Sequence, residues 1–152
     1  MLKKVQKTKI TAEGHSFAIV ASRYNGEYVD AMVHAAQVEL DNAKAKLRIV
    51  RVPGAFEIPA VAARLAASGR YSAVLCFGVI FQGQTSHAEH IGLGVTHALA
   101  QIQVLHKVPV IHAVFVFDKV EYAKVRCLDA KHNRGTEAAH TALDMARVME
   151  SV

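Results

Sequence analysis

The chain has 152 residues, which suits one domain large enough to bury about 70% of its unfolded surface without staples. Hydrophobic residues make up 52% and charged residues 20%, so it reads as globular rather than disordered, and no 18-residue apolar run marks a membrane span. The net charge of +5 fits acidic partners such as phosphates, but it is not gathered in one block and no RNA-binding aromatic motif accompanies it, so a nucleic-acid partner is not expected. Cys76 and Cys127 form no CxxC pair and read as reduced thiols. With no apolar h-region at the N-terminus, a cytoplasmic location is the expectation.

Residues 1–15, with Lys3, Lys4, Lys7 and Lys9, lack periodicity and predict a basic arm, mobile unless a neighbouring subunit orders it, ahead of a single domain at 16–152. Phe17–Ala21 predicts a first strand, ending at Ser22-Arg23-Tyr24-Asn25-Gly26, where Asn and Gly suit a turn and helix start. Tyr28 to about Ala45 carries Val29, Met32, Val33, Ala36 and Leu40 on one helical stripe. Leu47–Val52 alternates and stops at Pro53-Gly54. Phe56–Ala67 predicts a helix with Pro59 in its first turn, where a missing N–H costs little, and Ser68-Gly69 ends it.

The apolar run Ala73–Phe81 is long enough for a buried strand and breaks at Gly83 into Gln84-Thr85-Ser86-His87. From Ala88 a helical pattern follows, with Ile91, Val95, Leu99, Ile102 and Leu105. Val110–Phe117 predicts a fourth strand, a short helix follows near Val120–Val125, and the last helix runs from about Thr136 to Met149. Four strand–helix alternations predict a three-layer α/β fold: a four-stranded parallel sheet with helices on both faces, doubly wound and flavodoxin-like.

In such a sheet ligands bind outside the carboxyl ends of the strands. Those ends deliver Tyr24-Asn25, Gly54-Ala55-Phe56-Glu57, Gly83-Gln84-Thr85-Ser86-His87 and Phe117-Asp118. Unpaired N–H groups at a helix start favour an anion, and a histidine there moves protons near neutral pH. His87 and His90 invite a metal reading, but no third ligand stands out, and no metal is expected.

GVIFQGQTSHAEH resembles the G-x-V-I-x-G-x-T-x-H-aromatic-acid motif of the lumazine synthase family, and VPGAFEIP matches that family's second signature. Arg23-Tyr24-Asn25 resembles its R-F-N turn, and Asn133-Arg134-Gly135-Thr136-Glu137-Ala138-Ala139 its N-K-G-x-E-A-A helix start. The resemblance covers about residues 15–150. It implies condensation of 5-amino-6-ribitylaminouracil with 3,4-dihydroxy-2-butanone 4-phosphate to 6,7-dimethyl-8-ribityllumazine, phosphate and water, a step of riboflavin biosynthesis that needs no redox cofactor or metal. It implies His87 as proton donor and acceptor, with Glu89 orienting it or completing the helix start. Gln84, Thr85 and Arg126 are implied for the phosphate, Arg126 coming from an adjacent subunit. Tyr24 is implied for stacking on the pyrimidine, Ala55, Phe56 and Glu57 for the ribityl chain and ring edge, and Val79, Ile80 and Phe81 for the pocket wall. A shared site implies a homopentamer or an assembly of pentamers, and the pathway names riboflavin synthase as a further partner.

The chain departs from the family pattern at five places, one of them Arg134, which replaces Lys and keeps its charge but not its shape. Tyr24 replaces Phe; Ala88 replaces the aromatic after the histidine; His112 stands where Phe is usual near the phosphate; Phe117-Asp118 replaces Thr-Glu. A protonated His112 would help hold phosphate, while a neutral one would mostly weaken the apolar wall. An altered wall leaves an alternative, a lumazine- or flavin-binding or shell-forming homologue with little catalysis. A flavodoxin-like FMN carrier has less support, because no phosphate loop follows the first strand.

Overall fold

A computed structural model describes residues 2–152. Its elements in chain order are β1 (Ser16–Ser22), α1 (Gly26–Asn42), β2 (Lys46–Val52), a 3-10 turn (Ala55–Glu57) and α2 (Ile58–Ala67). They continue with β3 (Ala73–Phe81), α3 (His87–His106), β4 (Val110–Phe117), α4 (Val120–Leu128) and α5 (Arg134–Glu150). The four strands form one parallel sheet in the order β2-β1-β3-β4. The predicted α/β class and parallel sheet are therefore what the chain adopts.

The sheet is covered on both faces, which is why β1 and β3 read as unbroken apolar runs rather than alternating ones. Phe17, Ile19, Leu75 and Phe77 pack against Val29, Met32 and Leu40 of α1 and Leu143 of α5. Val20, Val74 and Cys76 face the other way, against Ile58 and Leu65 of α2 and Val95 and Leu99 of α3. Each fully buried Phe or Leu contributes about 1.5–3 kcal/mol. Burial pushes the Cys76 thiol far above its ordinary range and Cys127 up to about 12, so both are inert core residues, as their apolar settings imply.

Two helix starts lie earlier than the periodicity suggests. α1 begins at Gly26 because Asn25 adopts the left-handed conformation (φ 57°, ψ 41°), which Asn tolerates better than most residues. α5 begins at Arg134 because the buried Asn133 caps it. Its Oδ1 accepts from the Gly135 N–H at 2.7 Å, and its Nδ2 donates to the Cys127 carbonyl at 2.7 Å. Gly135 then lies against α1, where an added Cβ would overlap the Met32 carbonyl.

The N-terminal arm differs from the expected mobile segment, because its own chain straps it down. The Val5 N–H donates to the Lys131 carbonyl at 3.1 Å and the Ala12 N–H to the Ala43 carbonyl at 2.7 Å. The Thr8 N–H donates to Nδ1 of the buried His140 at 2.9 Å. A backbone N–H can only donate, so His140 carries its proton on Nε2, which faces Glu39 at 3.1 Å. Lys7 pairs with the other Glu39 oxygen at 2.7 Å. Burial alone would raise the Glu39 pKa, but the hydrogen bonds from Lys7 and His140 outweigh it and hold the carboxyl below its ordinary value.

Gly135→Ala should cost about 3 kcal/mol, read from the urea midpoint, because a packed backbone must move. Gly83→Ala, whose Cβ meets nothing within 4 Å, should change stability by less than about 0.5 kcal/mol. Glu39 has a depressed native pKa, so its stabilisation is present above the unfolded carboxylate range and is lost as pH falls through the native value. Glu39→Gln should therefore lose less stability than wild type when the urea midpoint is followed from pH 6 to pH 4.

Candidate active site

The parallel sheet brings the C-terminal ends of β1, β2 and β3 side by side. Backbone bonds lock the first two together. The Arg23 N–H donates to the Val52 carbonyl at 2.8 Å, and the Tyr24 N–H to the Pro53 carbonyl at 3.1 Å. Asn25 Nδ2 donates to the Val79 carbonyl at 2.6 Å, which ties the loop after β1 to the end of the neighbouring β3. Tyr24 is thus held between two fixed points with its ring exposed.

Gly54 sets the approach of that ring. A Cβ there would meet Tyr24 Cδ2 at 2.8 Å and Cε2 at 3.0 Å, so only glycine lets the ring lie against the backbone. Glu57 closes the 3-10 turn by accepting the Gly54 N–H on Oε1 at 3.1 Å. Carboxylates accept at both oxygens, which leaves acceptor capacity for a ligand. Pro59 is the second residue of α2, where its missing N–H removes no helical bond.

Together these segments line a cleft of ≈ 340 Å³ formed by Tyr24, Asn25, Gly54, Ala55, Phe56, Glu57, Val79, Ile80, Phe81 and Ile91. Seven of the residues singled out in the sequence, Tyr24, Ala55, Phe56, Glu57, Val79, Ile80 and Phe81, therefore meet in one place. Below it Phe81 packs edge-on against Tyr28, with centroids 5.4 Å apart, and against Phe117 at 6.4 Å, which stiffens the floor.

His87 is the first residue of α3 and is exposed. Ile91, one turn on along the same helix, lines the cleft, whereas His87 is not among its lining residues. The Thr85 hydroxyl accepts the His87 N–H at 3.4 Å, while Gln84, Thr85 and Ser86 stay exposed in the turn. Glu89 makes no hydrogen bond or ion pair with His87 among the described residues, which leaves it the role of an acidic first-turn residue at the α3 dipole. Ala88, read as part of a wall beside His87, instead faces inward and is 5% exposed. Phe117 likewise lies in the core beneath the cleft rather than in its wall.

Besides His87, Gln84 and Thr85, two more distant residues singled out in the sequence do not line this cleft. Arg126 is on α4, with its guanidinium 5.7 Å over the Tyr122 ring. His112 lies mid-strand in β4, opposite Cys76 and four residues short of the Ile80–Val116 pair at the strand end. It borders a separate cleft of ≈ 500 Å³ along β4 and α5. Its Nδ1 accepts the Val114 N–H at 3.2 Å, so Nε2 carries the proton toward Thr96 Oγ1 at 2.7 Å. Burial of part of the ring lowers its pKa, although one side is exposed. Burial, the larger cause, outweighs a backbone hydrogen bond that acts the other way, so the net direction favours the neutral ring.

Sequence reading missed the structural work of Asn25, which the Asn-Gly pair signals only as a turn, and Ile91, which looks like any other stripe residue. No group of three or more His, Cys, Asp or Glu side chains able to hold a metal occurs among the described residues. No helix among them is long and apolar enough to cross a membrane.

Comparison with known proteins agrees with this geometry. The family model for 6,7-dimethyl-8-ribityllumazine synthase matches residues 14–150. The chain is 38% identical over 145 residues to the 6,7-dimethyl-8-ribityllumazine synthase of Stenotrophomonas maltophilia (strain K279a), covering 93% of this chain and 94% of that one. It is 35% identical over 152 residues to the protein of that name from Desulfosudis oleivorans, covering 98% of this chain and 97% of the other. With a family match over nearly its whole length and relatives aligned end to end, the chain belongs to the 6,7-dimethyl-8-ribityllumazine synthase family.

Proposed function

We propose that this protein condenses 5-amino-6-ribitylaminouracil with 3,4-dihydroxy-2-butanone 4-phosphate, releasing phosphate and water and forming 6,7-dimethyl-8-ribityllumazine. The observation that carries the reading is the convergence on one sheet edge of the Tyr24 ring, the Glu57 carboxylate and the His87-bearing helix start. The pyrimidine stacks on Tyr24, and its ribityl hydroxyls donate to Glu57 beside Ala55 and Phe56. Val79, Ile80 and Phe81 form the wall behind the ring. The phosphate sits on the turn at Gln84 and Thr85, where backbone N–H groups at the start of a 20-residue helix favour an anion.

The chemistry asks for proton transfers at several stages. The amine attacks the ketone and water departs; loss of a proton from carbon drives out phosphate and unmasks a second carbonyl; the ribityl-bearing nitrogen attacks that carbonyl and closes the ring with loss of a second water. His87, exposed at the start of α3, serves as donor and acceptor in turn. Arg126 neutralises the departing phosphate with a charge-assisted fork. Its place on α4, outside the cleft of its own chain, agrees with delivery from a neighbouring subunit. His112, which borders a separate cleft of its own chain, would reach the phosphate only from a neighbouring subunit.

The working form in this reading is a homo-oligomer, a pentamer or an assembly of pentamers. It acts in the cytoplasm and supplies riboflavin synthase. Support comes from apolar side chains left exposed on α3: Leu93 at 60%, Val104 at 75% and Leu105 at 73%.

The test is an absorbance assay for lumazine with both substrates and a no-enzyme control, since the condensation proceeds slowly unaided. Wild type should run well above control. His87→Ala should lose about a hundredfold in kcat, the low side of general acid–base catalysis. The exposed position should keep its urea midpoint within about 0.5 kcal/mol of wild type. An unchanged kcat would remove His87 from this role.

A further inference from the structure

The turn that receives the phosphate in the proposed reaction has few internal supports. Gly83, Gln84, Thr85 and Ser86 are all exposed, and Gly83 has nothing within 4 Å of an added Cβ. Among the described residues no protein acceptor bonds the N–H groups of Gly83 through Ser86. Such a loop would ordinarily sample several backbone orientations, and each would aim its N–H groups differently.

One side chain restrains it. Gln82 follows the last residue of β3, and its own N–H donates to the Phe117 carbonyl at 2.8 Å, so its backbone belongs to the sheet. From that fixed base its Nε2 donates to the Thr85 carbonyl at 3.1 Å, bridging the Gly83-Gln84 turn. Thr85 C=O and Ser86 N–H share one planar trans peptide and point in opposite directions. Holding the carbonyl toward Gln82 therefore turns the Ser86 N–H outward. It also sets the Thr85 side chain where its hydroxyl meets the His87 N–H.

We infer that Gln82 is a positioning residue for the phosphate. It acts through the Thr85–Ser86 peptide and presets the N–H groups that receive the anion before it arrives. This inference rests on the proposed reaction and deepens it. Gln82 itself need touch neither substrate. Its effect is to spare the loop an ordering cost at the moment of binding, which is how preorganisation raises affinity.

Gln82→Met keeps the length of the side chain and removes the donor. Competitive inhibition by inorganic phosphate against the butanone phosphate is the direct reading, with steady-state constants for both substrates. The inhibition constant for phosphate and the KM for the phosphate-bearing substrate should each rise about two- to tenfold, the worth of one net hydrogen bond. The KM for the pyrimidine and the urea midpoint should stay at wild-type values, a split that general loosening of the fold would not give. Unchanged phosphate inhibition in Gln82→Met would overturn the inference while leaving the proposed reaction standing, as would an equal rise in both KM values. Wild-type protein showing no phosphate inhibition would overturn the phosphate assignment of this turn and the inference with it.

Discussion

β3 is paired on both sides and covered on both faces, and every residue from Ala73 to Val79 is buried. Such a strand accommodates no charged or reactive side chain along its length, because an unpaired polar group there would go unsolvated. Chemistry is pushed to the point where the strand leaves the core, at Gly83 to His87. Its neighbours do the same at their own ends, with Tyr24 after β1 and Gly54 to Glu57 after β2. The cleft is thus a consequence of building a parallel sheet from apolar strands, and the helices that cover the sheet point their N-termini at it.

Position within the cleft depends on a few cross-links rather than on packing alone. Asn25 joins the β1 loop to Val79, the Arg23 and Tyr24 N–H groups join it to β2, and Gln82 joins the β3 loop to itself. Each link starts from a strand end that the sheet has already fixed. The same elements leave Arg126 and His112 outside that cleft, on α4 and on the exposed edge strand β4. An edge strand and an apolar stripe on α3 are surfaces that a second copy of the chain would complete.

The strands were legible because their signals are local. Ala73–Phe81 and Val110–Phe117 read as apolar runs bounded by Gly and Pro, and they occupy those positions. The cleft-lining segments Tyr24-Asn25 and Gly54–Glu57 were legible for the same reason, each following a strand directly. What sequence reading missed depends on distant partners. The arm appears mobile until His140, 132 positions away from Thr8, supplies an acceptor for it. Ala88 and Phe117 look like changes to the pocket wall, yet their directions are set by how α3 and β4 roll against the core, which spacing alone does not give. His112 looks like a candidate cation, and only the Val114 N–H on its Nδ1 identifies the neutral tautomer.

The central claim is that one working site draws His87 from one subunit and Arg126 from the next. The most direct measurement mixes two variants, His87→Ala and Arg126→Ala, unfolded together and reassembled, and compares lumazine formation with each variant reassembled alone. Sites shared between subunits predict that the mixture regains activity neither parent has, approaching about one quarter of wild type for random assembly, because some interfaces pair an intact His87 with an intact Arg126. A mixture no more active than its parents, in oligomers shown to contain both chains, would contradict the account and place both residues in a site within one subunit.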